Sequence, residues 1–305
     1  MPNVSVVVVT HNSAADVGRC LTSLRAHVTG VTFEAIVVDN ASDDGTADLV
    51  EREHPWARVV RRATNGGLSR AINDGVAASS GAYVMALNAD THVESDALAP
   101  LVAYLRAHPD AGVAAPKLLD DDGALQLSCR AFPGYGTALF NRYSLLTRLL
   151  PANRLSSRYL MTDFDHASVR DVDWVSGAAL MTPRGVLEEV GGWDAGFFLF
   201  NEDVDLCRRI RDAGYRVVYV ADAVVYHTIG ISMSTSPRIV IARHRSMWRY
   251  YRKHLRGNPV RDALTGAAIA ARCAVLLASH AVRAALRGRR ERRGYSSSRL
   301  PGAKA

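Results

Sequence analysis

The strongest constraint on what this chain can fold into is an alternation that runs from residue 4 to residue 90. Residues 4–10 read VSVVVVT, a continuous β-branched run of the kind carried by a strand buried on both faces. Residues 13–27 then place Val17, Leu21 and Leu24 at helical intervals, with Ser13 positioned to cap. The order repeats: EAIVVDN at 34–40, a short helix over 44–54, ARVVRR at 57–62, a helix over 66–79 and AYVMALNAD at 82–90. Strands alternating with helices predict right-handed βαβ units, hence an α/β fold with a mostly parallel central sheet and helices on both faces. Ligands of such sheets lie beyond the carboxyl ends of the strands. Here those ends carry Thr10, His11 and Asn12, then Asp39 and Asn40, then Asn88 and Asp90. A strand end meets solvent and is polar in many proteins, but three polar ends opening on one crevice favour a binding site.

The pattern weakens between residues 116–126 and Val172, and a stretch that long inside a compact domain reads as a lid or a substrate-contacting insert. Beyond it VDWVSGAALMTP (172–183) predicts a strand, RGVLEEVGG (184–192) a short helix, and YRVVYV and AVVYHTIGIS two more strands. Between them lies FNEDVDLCRR, where Asn201 precedes a helix running from about Glu202 to Ala213. Acids in a first turn are what the helix dipole favours, so their presence alone is uninformative. Their directions are not. At about 100° per residue, Asp203 shares a side with Leu206, Cys207 and Ile210, whereas Asp205 aligns with Arg209 and Asp212 on a polar stripe. Asp205 is therefore expected at the surface in an i,i+4 pair with Arg209, and Glu202 is left unassigned by this test. Asp203 points inward, where a carboxylate needs partners or a task.

Three other residues admit two readings each. Asp39 ends an apolar strand and could accept from the imide of a pyrimidine base, or could open the turn DNASDDG. Asp90 could hold Mg²⁺ or Mn²⁺ with phosphate oxygens completing the shell, or could be a solvated turn residue. His227 ends AVVYH and fits a metal ligand or a structural histidine. Cys20, Cys129, Cys207 and Cys273 are far apart and form no zinc or disulfide pattern, as expected in a reducing cytosol. The start of the chain lacks the basic segment of a secretory leader and reads as the first strand.

Charge is divided unevenly along the chain. From Arg238 onward there are 17 Lys and Arg against two acids, a balance of +15, while the preceding 237 residues carry 20 basic and 28 acidic groups. A basic tail on a mildly acidic body asks for an anionic surface. Within it Arg261, Arg272 and Arg283 recur at intervals of eleven on nearly one helical face of an Ala/Leu/Val-rich stretch. Arg272 and His280 inside that stretch argue against a transmembrane span and for a helix in the membrane interface, with packing on the chain's own domain or a homodimer contact as alternatives. No nucleic-acid motif accompanies the charge.

In chain order, VVVVTHNS, VVDNASDDGT, NGGLSRAIN, LNAD, VSGAALM, GGWDAGFFLFNEDVDLCRR and YHTIGIS resemble the family-2 inverting glycosyltransferases of GT-A fold. Within that family the likeness is nearest to the bacterial dTDP-rhamnosyltransferases of cell-wall and surface polysaccharide synthesis, and it spans about residues 3 to 255. The resemblance implies that Thr10, Asn12 and Asp39 hold the nucleoside and that Asn65, Gly67, Arg70 and Asn73 line the nucleotide and diphosphate side. Asn88 and Ala89 join them, Asn88 standing where the family's Asp-x-Asp motif has its first aspartate. Asp90 and His227 would bind Mg²⁺ or Mn²⁺, Gly177 and Ala178 would shape the donor-sugar pocket, and Trp193, Asp194 and Glu202 would face the acceptor. Asp203 would be the general base. The expected organisation is a GT-A domain over 1–235, with 119–171 as an acceptor-side insert or lid, followed by a basic helical region over 236–305. Its partners would be a nucleoside-diphosphate sugar and a polyprenyl-linked or polysaccharide acceptor, and it would sit on the inner face of the cell membrane. A UDP-sugar-dependent galactofuranosyl- or hexosyltransferase, or a sugar-nucleotide-binding membrane-associated protein without transfer activity, are the alternatives. A sugar-phosphate nucleotidyltransferase would want a Gly-rich signature after the first strand, and THNSAADVG lacks one.

Overall fold

A computed structural model of the chain describes residues 2–134, 157, 159–228 and 236–297. Two compact units emerge, Met1–Ser232 and Met233–Ala305. In the first, the β-branched runs become β1 (Val4–Thr10), β2 (Phe33–Asp39), β3 (Arg58–Arg61) and β4 (Tyr83–Asn88), and the amphipathic runs become α1 (Val17–His27), α2 (Thr46–Glu53) and α3 (Leu68–Ala77). β1 lies between β2 and β4, parallel to both, with Thr10 opposite Asp39 and Val9 opposite Asn88. That register brings the polar strand ends together at one edge. Val4, Val6, Val7 and Val8 have no exposed surface, as expected for a strand covered on both sides.

Helices seal the sheet through apolar stripes. α1 buries Val17, Cys20, Leu21 and Leu24, and truncating Leu24 to Ala would cost about 2–5 kcal/mol. Gly75 lets α3 pack directly on the sheet: a Cβ there would collide with Val7 and press on Val38. α1 starts at Val17, not at Ser13. The Ser13 carbonyl takes the amides of Asp16 and Val17 in a turn, and its hydroxyl accepts from His11, so its role is to end the β1 loop and not to cap.

The sheet continues as β4-β11-β6-β12-β5, built from β5 (Thr91–His92), β6 (Ala111–Leu119), β11 (Ala179–Pro183) and β12 (Arg216–His227). β11 runs antiparallel to β4 and β6 while β12 is parallel to β6, so the sheet is mixed but mostly parallel. α4 (Leu98–Ala107) and β6 went unread in the sequence; α4 is apolar on too many sides to show a clean stripe. Two expected strands differ in extent. The run 172–183 is broken at Ser176–Ala178 into β10 (Trp174–Val175), which pairs with β8 (Cys129–Arg130), and β11. The two strands expected at 215–232 are instead one strand through Tyr226 and His227, with a register shift between Val220 and Val224 opposite Pro116, a residue that has no amide to donate. β7 (Leu125–Gln126) and β9 (Arg170–Val172) pair with β6 and β12. Of the expected insert, residues 135–156 and 158 lie outside the described residues, as does most of TIGIS.

After β11 come α5 (Arg184–Glu189) and α6 (Glu202–Asp212). The second unit holds α7 (Pro237–His254), which the Ser236 hydroxyl caps at the Ile239 amide, and α8 (Pro259–Ser297).

Candidate active site

The crevice is built along the carboxyl ends of β2, β1 and β4 and is closed by the break before β11. Asp39 is buried; it accepts from the Thr10 hydroxyl at 3.1 Å, from the Ser42 hydroxyl and from the Ser42 amide at 3.1 Å. A carboxylate offers about four acceptor positions, so these bonds fix its direction and leave little capacity over. Asn12, in a left-handed conformation, receives the Asp43 amide and gives its own to Ser42, tying the β1 loop to the β2 loop.

Several residues expected on the nucleotide side are spent on shaping it. The Asn73 amide group exchanges both its bonds with the Trp193 backbone, at 2.7 and 3.0 Å. Asn65 accepts from Asn40 and from the Gly67 amide. Gly67 has φ +89°, and a Cβ there would lie 2.6 Å from the Phe198 carbonyl oxygen, so this position admits the loop ahead of α6 and faces it, not open space. Arg70 is exposed, with its Nε 3.4 Å from the Ala195 carbonyl. Trp193, expected to face an acceptor, is 2% exposed and belongs to the core. Asp194 stays half-buried and accepts from the Gly196 amide.

β4 and β11 connect the nucleotide end of the crevice to the NEDVD helix. The Asn88 amide donates to the Ala178 carbonyl at 2.9 Å, with Ala89 buried beside it, and the next residue back, Gly177, donates its amide to Asp203 Oδ2 at 2.9 Å. Asp203 Oδ1 accepts from Val204 at 2.8 Å. A methyl group on Gly177 would touch the Asp203 side chain at 3.3 Å, so glycine gives the carboxylate its clearance. Burial pushes the pKa of Asp203 up, while the two amides and the nearby Arg130 guanidinium pull the other way. Glu202 is 5% exposed and its Oε2 has no hydrogen-bond partner among the described residues; burial first, then the charge of Asp203, push its pKa well above 4.5.

Asp205 is the clear departure. It does pair with Arg209, at 2.8 Å, but it has no exposed surface at all. The helical wheel gave its direction correctly and not what lay there: Arg209 itself is largely covered and reaches the Val190 carbonyl at 2.6 Å, so the polar stripe faces protein. Asn201 sits at the helix start with φ +65° and makes no side-chain cap.

Asp90 and His227 meet, with Oδ1 and Nε2 3.4 Å apart. Gln126 orients the ring, accepting from Nδ1 at 2.9 Å while its own amide donates to the His227 carbonyl at 2.6 Å. That arrangement protonates Nδ1 and leaves Nε2 as an acceptor. Nε2 is buried without a hydrogen-bond partner among the described residues, so two acceptors face each other and a cation between them would satisfy both. One nitrogen and one carboxylate fit Mn²⁺ or Mg²⁺ as part of a shell. Among the described residues no third His, Cys, Asp or Glu converges there, so phosphate and water oxygens would have to supply the rest. No sequence signal marks Gln126 or Arg130, which sit in two-residue strands too short to show a period.

A family model described as glycosyltransferase like family 2 matches residues 2–258. An N-acetylglucosaminyl-diphospho-decaprenol L-rhamnosyltransferase of Mycobacterium tuberculosis is 29% identical over 250 residues, covering 78% of this chain and 80% of that protein. A mannosyltransferase from Pyrobaculum calidifontis, solved in complex with GDP-Man and Mn²⁺, superposes with a TM-score of 0.57 at 22% identity, covering 93% of this chain and 80% of that one. GalNAc-T7, solved with UDP, GalNAc and Mn²⁺, superposes with a TM-score of 0.59 at 16% identity, covering 83% of this chain and 48% of that one.

Proposed function

The chain belongs to glycosyltransferase-like family 2 and has the GT-A fold, and from that premise we propose an inverting transfer of L-rhamnose from dTDP-L-rhamnose to a hydroxyl of a lipid-linked glycan. One observation carries this reading: a half-buried carboxylate, Asp203, is held by the Val204 amide of its own helix and by the Gly177 amide, one residue from the Ala178 carbonyl that accepts from Asn88. In its ionised form Asp203 takes the proton of the acceptor hydroxyl as the oxygen attacks the anomeric carbon, opposite the nucleoside diphosphate. Burial strengthens it as a base, and the Gly177 and Val204 amides keep it aimed. Thr10, Asn12 and Asp39 face the nucleoside, and Asn65, Gly67 and Asn73 act by holding the surrounding loops. A divalent cation held by Asp90 and His227 would offset charge on the departing diphosphate.

The name of the mycobacterial relative supports rhamnose as the sugar and an N-acetylglucosaminyl-diphospho-polyprenol as the acceptor class. Such an acceptor is membrane-bound, and the basic second unit supports work on the inner face of a membrane during cell-wall polysaccharide synthesis.

Purified chain incubated with dTDP-L-rhamnose, an N-acetylglucosaminyl-diphospho-polyprenol and Mn²⁺ should release dTDP and form a rhamnosylated lipid, and EDTA should stop both. In a thermal-shift screen of UDP-, dTDP- and GDP-sugars with Mn²⁺, dTDP-L-rhamnose should give the largest stabilisation. A larger shift and faster turnover with a UDP- or GDP-sugar would overturn the donor assignment.

A further inference from the structure

α7 and α8 form an antiparallel hairpin, and their contacts fix which side of α8 is turned inward. Tyr251 Oη donates to Asp262 at 2.6 Å near the turn. One helical turn further along α8, a Cβ at Gly266 would lie 3.2 Å from the Trp248 ring, and that ring stacks on Tyr251 with centroids 5.6 Å apart. The side of α8 marked by these contacts carries Asp262, Thr265, Arg272 and His280, all partly covered, with Ile269 and Leu277 between them. A helix on the surface of a globular protein normally does the reverse, turning its apolar stripe to its neighbours and its charges to water.

The opposite side is exposed and aliphatic. From residue 260 to residue 282 every exposed side chain apart from Arg261 is Val, Leu or Ala, and Val260, Leu264 and Val275 are 67–69% exposed. A contiguous apolar face of this kind marks a place that water does not normally cover. Pro259–Arg283 is long and apolar enough to cross a bilayer by length and composition. Spanning would place Arg272 near mid-bilayer, and it would draw in α7, which runs back along α8 and carries Arg243, Arg245, Arg249 and Arg252. A helix lying in the plane of the interface avoids both conflicts. Acyl chains then meet the aliphatic face, α7 stays on the aqueous side, and Arg261, Arg272 and Arg283 follow the border of the face about 16 Å apart, at phosphate level. The charge of this part of the chain selects the same partner, since a balance of +15 from Arg238 onward complements an anionic leaflet.

We propose that the outward face of α8 is the membrane seat of this chain: the helix lies in the plane of an anionic lipid leaflet, with Leu264, Val275 and Val282 among the acyl chains. Burial of the aliphatic face supplies the binding energy, and the arginines choose an anionic leaflet over a neutral one. The inverted arrangement then has a physical cause, because the side of α8 that lipid covers must be apolar and the side that α7 covers need not be. The seat rests on the membrane-facing reading of the second unit and is independent of the donor and of the chemistry at Asp203.

The test is flotation of the full chain with vesicles of phosphatidylcholine alone or mixed with phosphatidylglycerol. Wild type should float with the mixed vesicles far better than with the neutral ones. Leu264→Asp and Val275→Asp should each lower partition into mixed vesicles about 10–100-fold, the value of one buried aliphatic side chain. Val169→Asp makes the same change at a side chain of the first unit that is 44% exposed, and it should float like wild type. Equal losses in all three variants would mean general charge repulsion and overturn the seat. Leu264→Ala leaves the charge alone and should still lower partition several-fold; unchanged partition would show that charge by itself holds the chain to lipid. Without lipid, Leu264→Asp should melt no lower than wild type, because its side chain points into water. A lower melting temperature, or conversion of a dimer to a monomer in light scattering, would mean that protein covers this face and not lipid. Alkaline carbonate should strip the chain from vesicles, and retention would reveal a span instead of an in-plane helix. Donor turnover in the same preparations separates the two readings: loss of turnover in wild type would defeat the transferase chemistry while flotation still reports on the seat.

Discussion

The strand-end crevice and the α7–α8 hairpin treat buried charge in opposite ways. In the crevice three of the carboxylates that leave water find partners inside the chain: Asp205 has Arg209, Asp39 has Thr10 and Ser42, and Asp203 has two amides. In the hairpin Arg272 lies half-buried beside Arg243 with no counter-charge among the described residues, under an outward face made only of aliphatic side chains. A set of charges satisfied internally fixes geometry, which a reaction centre needs. A set left open specifies a partner. Among the described residues Glu202 Oε2 and His227 Nε2, beside Asp90, are places where the crevice itself stays open.

The contrast can be tested in order of expected effect. Asp203→Asn should lower the transfer rate by about 10²–10⁴, the usual contribution of a general base, while donor binding measured by calorimetry stays within a few-fold of wild type; transfer near the wild-type rate would refute the base assignment. Arg209→Leu should destabilise the fold by about 3–5 kcal/mol in denaturant titration, because it removes the guanidinium that pairs with a fully buried carboxylate. Arg272→Leu should instead raise the melting temperature, because burial and then Arg243 disfavour the Arg272 charge, and like signs at 209 and 272 would erase the difference between the two regions. Gln126→Leu should weaken Mn²⁺ affinity about 10–100-fold through loss of ring orientation, read by titrating metal against donor-bound protein.

The smallest effect concerns pH. Glu202 and Asp203 have folded-state pKa values raised above their unfolded ones, so the folded chain holds these protons more tightly than the unfolded chain does. Their contribution to stability is complete below the ordinary values of 3.8 and 4.5 and is lost as pH rises through the elevated folded values. Glu202→Gln should flatten that part of the stability profile and raise the melting temperature at neutral pH by a few degrees, since each tenfold difference in proton affinity between folded and unfolded chain is worth about 1.4 kcal/mol. An unchanged profile would mean that Glu202 reaches water or a partner when folded.

Much of this was legible in the residues. β1 to β4 appear within one or two residues of their expected limits because a doubly covered strand must be β-branched and continuous, and nothing else in a sequence looks quite like VSVVVVT. The inward aim of Asp203 followed from helical spacing, which needs no knowledge of neighbours. The burial of Asp205 did not follow, since a wheel gives the direction of a side chain and cannot say whether protein or solvent waits there. Asn73 and Gly67 were expected on the nucleotide side and Trp193 on the acceptor side, and none of them as scaffolding, because their partners come from segments 120 or more residues away.

By itself the sequence determined the alternating architecture, the polar strand ends, the helix that bears the candidate base and the division between an acidic body and a basic tail. Each of these depends on local periodicity or on summed charge, quantities that a linear string carries in full. Only the tertiary structure decided that Gly177 breaks its strand to hold Asp203, that Gln126 turns the His227 nitrogen towards Asp90, and that Arg272 has no acid beside it among the described residues. Those outcomes depend on which distant backbone atoms arrive within about 3 Å of a side chain, and long-range approach of that kind is settled by packing.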